Sequence, residues 1–130
     1  MEKPDLPREV LDFVADKIDT VPQLEALLLL WENPTRGWAC EELAARLYVG
    51  RDACATLLEA LRRRELVEVA EGETPLRYRY RGAWDERGVV MQQVASAYRT
   101  QLVTIATLIH TKAPSSLREF ARAFDLKGGR

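Results

Sequence analysis

Residues 41–81, EELAARLYVGRDACATLLEALRRRELVEVAEGETPLRYRYR, decide the fold. In the first half of this stretch, apolar residues recur three, four and seven positions apart, the spacing of one face of a helix. The pattern predicts a short helix over 41–47, a tight turn at 48–50 and a longer helix over 51–64. The buried face of the longer helix is expected to hold Cys54, Leu57, Leu58 and Leu61.

The second half of the stretch predicts a β-hairpin. Its strands are expected over 66–70 and 76–81, separated by the polar segment EGETP. Apolar and basic side chains alternate in the second strand, so Leu76, Tyr78 and Tyr80 share one face of the ribbon. The opposite face carries Arg77, Arg79 and Arg81.

The flanking sequence predicts further helices. Residues 6–19 have a helical apolar spacing with Pro7 in the first turn, and a second helix follows from Thr20 to about residue 32. Thr20 and Gln23 fit a capping box, and the apolar run 27–31 indicates a helix in the centre of the core. Beyond the hairpin, residues 89–112 predict one long helix, and a short last helix holds Phe120 and Phe124.

This order of elements resembles a winged helix-turn-helix domain, and the whole chain resembles the MarR-type bacterial transcriptional regulators. The resemblance rests on Glu42-Leu43-Ala44, the turn at Gly50, Leu57-Leu58 with Leu61, the run RRRELV at 62–67 and the arginine-rich hairpin. It implies a mainly α fold with a small β-hairpin and flanking dimerisation helices. The implied division is N-terminal helices over 1–37, the winged helix-turn-helix over 38–82 and a C-terminal helical segment over 83–130.

The resemblance also implies residue roles. The helix over 51–64 would read the major groove of double-stranded DNA, and the hairpin would lie beside it as a wing. Arg51 suits guanine or phosphate, and Thr56 suits phosphate or a thymine methyl group. The expected DNA-binding residues are Arg51, Asp52, Ala55, Thr56, Arg62, Arg63, Arg77, Arg79 and Arg81.

The terminal helices are expected to form a homodimer, because several apolar faces in so small a chain need to be covered. The expected dimerisation residues are Val10, Phe13, Tyr98, Leu102, Ile105, Ile109, Phe120 and Phe124. The alternative is that the C-terminal stripe packs on the first two helices of its own chain.

Charge argues against a protein that coats nucleic acid in bulk. The 130 residues include 19 Lys and Arg and 20 Asp and Glu, for a net charge of −1. Within 38–82 the acidic and basic side chains are equal in number, so net charge supplies no attraction to DNA. A winged-helix module that contacts protein instead of DNA is therefore the alternative function.

Other classes of protein lack support in the sequence. With two cysteines, one histidine and no glycine-rich phosphate loop, the chain offers no catalytic constellation, metal site or cofactor site. We expect no enzyme activity and a cytoplasmic location, since neither a signal peptide nor a membrane span is visible. Cys54 is interpreted as a core residue, with redox sensing by Cys54 or Cys40 as the alternative. A small-molecule effector has no support beyond the three tryptophans, which are interpreted as core fillers.

Overall fold

A computed structural model describes residues 6–70, 72, 74–82 and 87–111. Its elements are α1 (Arg8–Lys17), α2 (Val21–Glu32), β1 (Trp38–Ala39), α3 (Cys40–Leu47), α4 (Arg51–Arg63), β2 (Val67–Ala70), β3 (Arg77–Tyr80), α5 (Arg87–Thr100) and α6 (Leu102–Thr111). The predicted fold class, mainly α with a small β-hairpin, is confirmed, and the hairpin is part of a small antiparallel sheet. The predicted last helix with Phe120 and Phe124 lies outside the described residues.

The start of α2 follows the predicted capping chemistry with one difference. Thr20 Oγ1 accepts a hydrogen bond from the Gln23 backbone N–H at 3.2 Å. The Gln23 side chain reaches back to the backbone N–H of Asp19, at 2.8 Å, one residue earlier than a capping box requires. Pro7, expected in the first turn of α1, instead stands just before it as the N-cap residue.

Among the described residues the sheet has three strands, one more than the predicted hairpin. β3 lies in the centre, with β1 and β2 antiparallel on either side, and Trp38 lies opposite Tyr78. β1 has two residues, too few to show an alternation in the sequence. The apolar face weakens toward the hairpin tip, since Tyr80 is buried, Tyr78 is half-buried and Leu76 is exposed.

Each helix of the helix-turn-helix is followed by a residue that has a left-handed backbone conformation and is not glycine. Tyr48 ends α3 with φ 57°, and Glu65 follows α4 with φ 62°. After α4 the Leu66 N–H donates to the Leu61 carbonyl at 3.0 Å and the Glu65 N–H donates to the Arg62 carbonyl at 2.9 Å. These two bonds are the Schellman pattern, in which the residue at the Glu65 position is usually glycine.

The expected single long helix over 89–112 is wrong: it consists of α5 and α6, separated at Gln101. Thr100 Oγ1 donates to the Ser96 carbonyl at 2.9 Å, and such bonds within a helix bend it. Hydrogen bonds continue on both sides, from Gln101 N–H to Ala97 and from Ile105 N–H to Gln101. The break lets both halves pack against α1.

The core is built around α2, as the apolar run predicted. Leu24, Leu27 and Leu30 are fully buried, and α2 contacts α3, α4, β3 and α5. Burial of this kind is worth about 1.5–3 kcal/mol for each large aliphatic side chain. Among the described residues no helix has the length and apolar character needed to cross a bilayer.

Candidate nucleic-acid interface

Within the part of the chain that the structure describes, the outward face of α4 is largely exposed. Cys54, Leu57, Leu58 and Leu61 seal the inner face in the core, as predicted. The exposed face contains the six residues of α4 that the sequence analysis assigned to DNA, namely Arg51, Asp52, Ala55, Thr56, Arg62 and Arg63. α4 begins after Gly50, which offers no side-chain cap, and Gly50, Arg51 and Asp52 are all exposed.

A groove of about 470 Å³ runs beside this face, between the starts of α3 and α4 and the hairpin. We call it the α4–wing groove, and its lining residues are Ala39, Cys40, Glu41, Arg51, Asp52, Ala55, Pro75, Leu76 and Tyr78. Arg51 Nε lies 3.6 Å from a carboxylate oxygen of Glu41, and both side chains are largely exposed. An exposed pair of this kind holds its partners weakly.

The three arginines of the hairpin are each engaged by a carboxylate. Arg79 Nε donates to Glu68 Oε2 on the neighbouring strand at 2.9 Å, across a register pair of β2 and β3. Arg81 Nη1 lies 3.7 Å from Glu65 Oε1. Arg77 Nη1 lies 3.0 Å from Glu42 Oε1 on α3. Local charge on this face is therefore balanced in pairs.

The hairpin arginines and the α4–wing groove occupy different faces of the sheet. Tyr78 lines the groove, and side chains alternate along a strand, so Arg77 and Arg79 point to the opposite face. The resemblance implied that α4 and the hairpin present their arginines to DNA side by side. The structure places the arginines of β3 away from the face that adjoins α4.

Glu42 joins the hairpin to the helix-turn-helix. Its Oε1 accepts the Ala39 backbone N–H at 3.0 Å and the Arg77 guanidinium at 3.0 Å, and Arg36 Nη2 lies 3.7 Å away. The Ala39 hydrogen bond, followed by the charges of Arg77 and Arg36, lowers the pKa of the Glu42 carboxyl. Arg77 also donates to the carbonyl of Gly37, the residue before β1, at 3.3 Å, so one guanidinium links the start of β1 and α3 to β3.

The arginine run at the end of α4 divides between two roles. Arg62 Nε donates to Glu59 Oε2 at 3.0 Å, a hydrogen bond that lowers the pKa of Glu59 and raises the pKa of Arg62. Arg64 instead donates to Asp19 Oδ2 at 2.9 Å and to the Lys17 carbonyl, and is mostly buried. Arg64 thus fastens the end of α4 to the junction of α1 and α2.

Four of the expected dimerisation residues need correction. Val10, Phe13, Ile105 and Ile109 are buried within the core of a single chain, so a second copy has no surface of theirs left to cover. The alternative packing onto the first helices of the same chain accounts for them. Tyr98 is half-buried, and its hydroxyl donates to Glu25 on α2. Burial, then this bond to Glu25, raises the pKa of Tyr98.

Apolar surface remains elsewhere on the C-terminal helices. Leu102 is 47% exposed and Val103 is 78% exposed, next to each other at the start of α6. Leu102 is the one expected dimerisation residue among those described whose side chain is substantially open to solvent. The sequence stripe did not include Val103, because it lies off the buried face.

A second cavity, of about 420 Å³, lies between α2, the end of α3 and α5. Glu25, Glu32, Arg46 and Tyr98 supply its polar groups, and Leu28, Leu29, Leu47 and Tyr48 complete it. Next to it the buried Trp38 ring packs against two guanidinium groups, Arg36 at 3.6 Å and Arg46 at 5.6 Å from its centroid. Sequence reasoning missed this cavity, since its walls come from three distant segments.

Sequence reasoning also missed Cys40, Tyr78 and Glu42 as parts of the site. The alternation in β3 placed Tyr78 on the apolar face, but β1, which brings Cys40 and Glu42 to the hairpin, has no signal of its own. Glu42 stands three residues after Ala39, a spacing that could have indicated its backbone hydrogen bond. In the part of the chain that the structure describes, no group of three or more His, Cys, Asp or Glu side chains is placed to hold a metal ion.

Comparison with known proteins supports the fold. No protein-family model matches the sequence, and the search of curated proteins found no match. Among solved structures, RV1404 from Mycobacterium tuberculosis is 23% identical with a TM-score of 0.52, covering 94% of this chain and 83% of that one. The heme sensor protein PefR from Streptococcus agalactiae in complex with heme is 10% identical with a TM-score of 0.50, covering 90% and 78%.

A MarR family protein from Bacillus stearothermophilus is also similar, at 18% identity and a TM-score of 0.49, covering 94% of this chain and 81% of that one. The predicted resemblance to winged-helix proteins of the MarR type is confirmed at the level of the fold. At these identities the likeness concerns the path of the chain, and the chemistry of the site rests on its own residues.

Proposed function

We propose that this chain is a transcriptional regulator, not an enzyme, that binds double-stranded DNA in the cytoplasm as a homodimer. One observation carries the proposal: α4 seals one face in the core and leaves the other, from Arg51 to Arg63, exposed along its length. A helix that enters the major groove needs such a face, with its first turn directed at the bases. A two-fold dimer would place two copies of α4 on a symmetric site.

In this proposal the first turns of α4 read sequence. Arg51 exchanges its weak pair with Glu41 for guanine or phosphate, and Asp52 accepts from a cytosine amino group. Ala55 and Thr56 contact thymine methyl groups. Arg62 and Arg63, at the other end of the helix, lie toward the sugar-phosphate backbone. Direct base contacts are few, so shape and deformability of the DNA carry part of the specificity.

The hairpin arginines take unequal roles. Arg79 and Arg81, with side chains 45% and 49% exposed, contact phosphates by exchanging their carboxylate partners. Arg77 is less exposed and holds Glu42 and Gly37 together, so we assign it to positioning the wing. The dimer contact is proposed to include Leu102 and Val103, since apolar surface at the start of α6 is left uncovered in the single chain.

The test measures binding of genomic DNA fragments by fluorescence anisotropy across a series of salt concentrations. Phosphate contacts release counterions, so affinity should fall steeply as salt rises, with a slope of about −0.9 for each phosphate neutralised. Size-exclusion chromatography with light scattering on the same samples should give twice the mass of one chain. Binding that is absent or indifferent to salt sinks the proposal.

A winged-helix module that binds protein is the second candidate. The observation in its favour is the pairing of Arg77, Arg79 and Arg81 with carboxylates, which leaves the wing face without net charge. The apolar Pro75, Leu76 and Tyr78 in the α4–wing groove also suit a protein surface. A partner retained through high salt in a pull-down, with no enrichment of DNA, would favour this function over the first.

A further inference from the structure

A polar link joins the end of α4 to the N-terminal helices. Arg64, the C-cap residue of α4, has a side chain that is only 18% exposed. Its Nη2 donates to Asp19 Oδ2 at 2.9 Å, and its Nη1 donates to the backbone carbonyl of Lys17. The planar, forked guanidinium can hold two separate acceptors in one fixed geometry, which the flexible ammonium of lysine cannot do. One side chain at the end of α4 therefore binds two points of the chain 45 and 47 positions away.

Both acceptors lie where the chain passes from α1 to α2. Lys17 is the last residue of α1, so its carbonyl has no partner within the helix, and the helix dipole favours a cation there. Asp19 follows in the non-helical junction, where its backbone N–H donates to Gln23 Oε1 at 2.8 Å. Ile18, between the two acceptors, is fully buried. The junction is thus held from several sides, and Arg64 connects it to α4.

This junction lies between the two parts of the proposed regulator. On one side, α1 packs against α5 and α6, and α6 carries the exposed Leu102 and Val103 that we propose as the dimer contact. On the other side, α4 packs against α2, α3 and β2, which surround it in the helix-turn-helix unit. Arg64 therefore ties the unit that would contact DNA to the helix that supports the dimer contact.

We propose that Arg64 is a positioning residue, which orients α4 relative to the dimer helices and so selects the spacing between two DNA half-sites. The inference rests on the proposed function. α4 has 13 residues and spans about 20 Å, so its first turn lies about that far from Arg64. A rotation of the helix-turn-helix unit by about 10° about Arg64 would move the first turn about 3.5 Å, close to the rise of one base pair.

The test compares DNA duplexes that differ in half-site spacing. Footprinting of the genomic fragment that the wild type binds defines the two half-sites, and duplexes are made with that spacing and with one base pair inserted or removed. By fluorescence anisotropy, the wild type should prefer the original spacing by at least about tenfold, because both copies of α4 must fit the major groove at once. Arg64→Gln removes the charge and the fork, and should reduce this preference to about threefold or less.

Arg63→Gln is the matched control, because it removes a neighbouring exposed arginine that we assign to the sugar-phosphate backbone. It should weaken binding to all three duplexes by a similar factor and leave the spacing preference unchanged. A merely structural role of Arg64 would also weaken all three equally. An unchanged spacing preference in Arg64→Gln, or an equal reduction in both variants, would overturn the inference.

A second variant covers the case in which Arg64→Gln does not fold. Asp19→Asn keeps an oxygen acceptor for Arg64 and removes the charge that strengthens the hydrogen bond. It should lower the spacing preference by a smaller factor than Arg64→Gln. A preference equal to that of the wild type in Asp19→Asn would then decide against the inference.

Amide hydrogen exchange tests the link without DNA. The backbone N–H of Ile18 donates to the Val14 carbonyl at 3.2 Å and lies between the two acceptors of Arg64. Loss of the link should speed exchange of this amide by about five- to tenfold in Arg64→Gln and leave it unchanged in Arg63→Gln. Equal exchange in the two variants would overturn the link itself.

The two measurements separate the inference from the proposed function. If the wild type binds no DNA, the proposed function falls, while the exchange of the Ile18 amide still decides whether Arg64 holds the junction. If the wild type binds DNA with no preference among the three spacings, the proposed function stands and the inference falls.

Discussion

The outward face of α4 and the arginine face of β3 have similar side chains and different surroundings. On α4, Arg51 pairs loosely with Glu41 at 3.6 Å and lies beside an open groove. On β3, Arg79 is held by Glu68 at 2.9 Å across a strand pair. An arginine on the helix can change partner by rotating its own side chain. An arginine on the strand is opposed by a carboxylate that the sheet register keeps in place.

This contrast shows that the position of an arginine on a surface does not determine whether its charge is available to bind DNA. Spacing along the chain placed Arg77, Arg79 and Arg81 on one face, but it could not show that each faces a carboxylate from a different segment. A pair of charges in contact attracts phosphate less than a free arginine does, because the field of one cancels the other. We therefore expect α4 to dominate binding and the hairpin to modulate it.

Charge reversal on α4 should have the largest effect. Arg51→Glu removes a cation from the first turn and adds a carboxylate beside Asp52, so we expect at least a tenfold loss of DNA affinity. Arg99→Glu on α5 makes the same charge change on another exposed surface and serves as the matched control. Fluorescence anisotropy at fixed salt measures both. Equal losses of DNA affinity in the two variants would mean that α4 contributes no more to DNA binding than α5 does.

Relief of backbone strain where α4 meets the hairpin should have the second-largest effect. Glu65 has φ 62°, and glycine at such a position is favoured by about 1 kcal/mol. Glu65→Gly should therefore raise the free energy of unfolding by about 1 kcal/mol, less the weak pair with Arg81. Glu65→Ala loses the pair and keeps the strain, so urea denaturation should rank glycine above wild type and alanine at or below it. The reverse ranking would contradict the left-handed geometry.

The Glu42 carboxylate should show a smaller effect that depends on pH. Glu42→Gln keeps an acceptor for the Ala39 N–H and removes the charge that faces Arg77, at an expected cost of about 0.5–1 kcal/mol near neutral pH. The folded-state pKa of Glu42 lies below its ordinary value of 4.5, so the charged form stabilises the fold above that pH.

The difference between wild type and Glu42→Gln should therefore be full above pH 4.5. It should disappear as the pH falls through the lowered pKa of the folded state, where the carboxyl becomes protonated. Urea denaturation at a series of pH values measures this difference. A gap that widens on acidification would show that the carboxylate does not stabilise the fold through its charge.

Freeing a hairpin arginine should give the smallest change, in the opposite direction. Glu68→Gln removes the partner charge of Arg79 and leaves a neutral side chain of the same shape. We expect DNA to bind about two- to threefold more tightly, with the salt slope steeper by nearly one phosphate. Glu9→Gln on α1 removes a carboxylate far along the chain and is the control. No gain over this control would assign the hairpin to contacts other than phosphate.

Local patterns were sufficient for the elements whose signals lie within one segment. The apolar spacing of Cys54, Leu57, Leu58 and Leu61 predicted both α4 and the face that it buries. The same reasoning predicted α5 and α6 as one helix. The hydrogen bond from Thr100 to Ser96 that accompanies the bend leaves no signal in the spacing of apolar residues. Periodicity indicates which face is buried, and only packing determines whether the helix stays straight.

The site depended more on contacts between distant segments. Exposure of Arg51 and Thr56 followed from the helical face, whereas the pairing of Arg77 with Glu42 required β1 to be placed beside β3. For Val10 and Ile109, apolar character alone did not distinguish a partner subunit from the core of the same chain. An apolar side chain is stabilised by being shielded from water, and the sequence does not show whether the same chain or a second copy shields it.

The pairing of β1 with β3 has a consequence for how such a domain is inherited. Trp38 and Tyr78 lie side by side, so the chain enters and leaves the intervening 39 residues at neighbouring points. A segment with adjoining ends can be exchanged by recombination without redirecting the polypeptide on either side. The exchanged segment would still pack on the rest of the chain as long as its replacement preserved the surface that contacts α2. The helices outside the segment could meanwhile diverge to bind other partners.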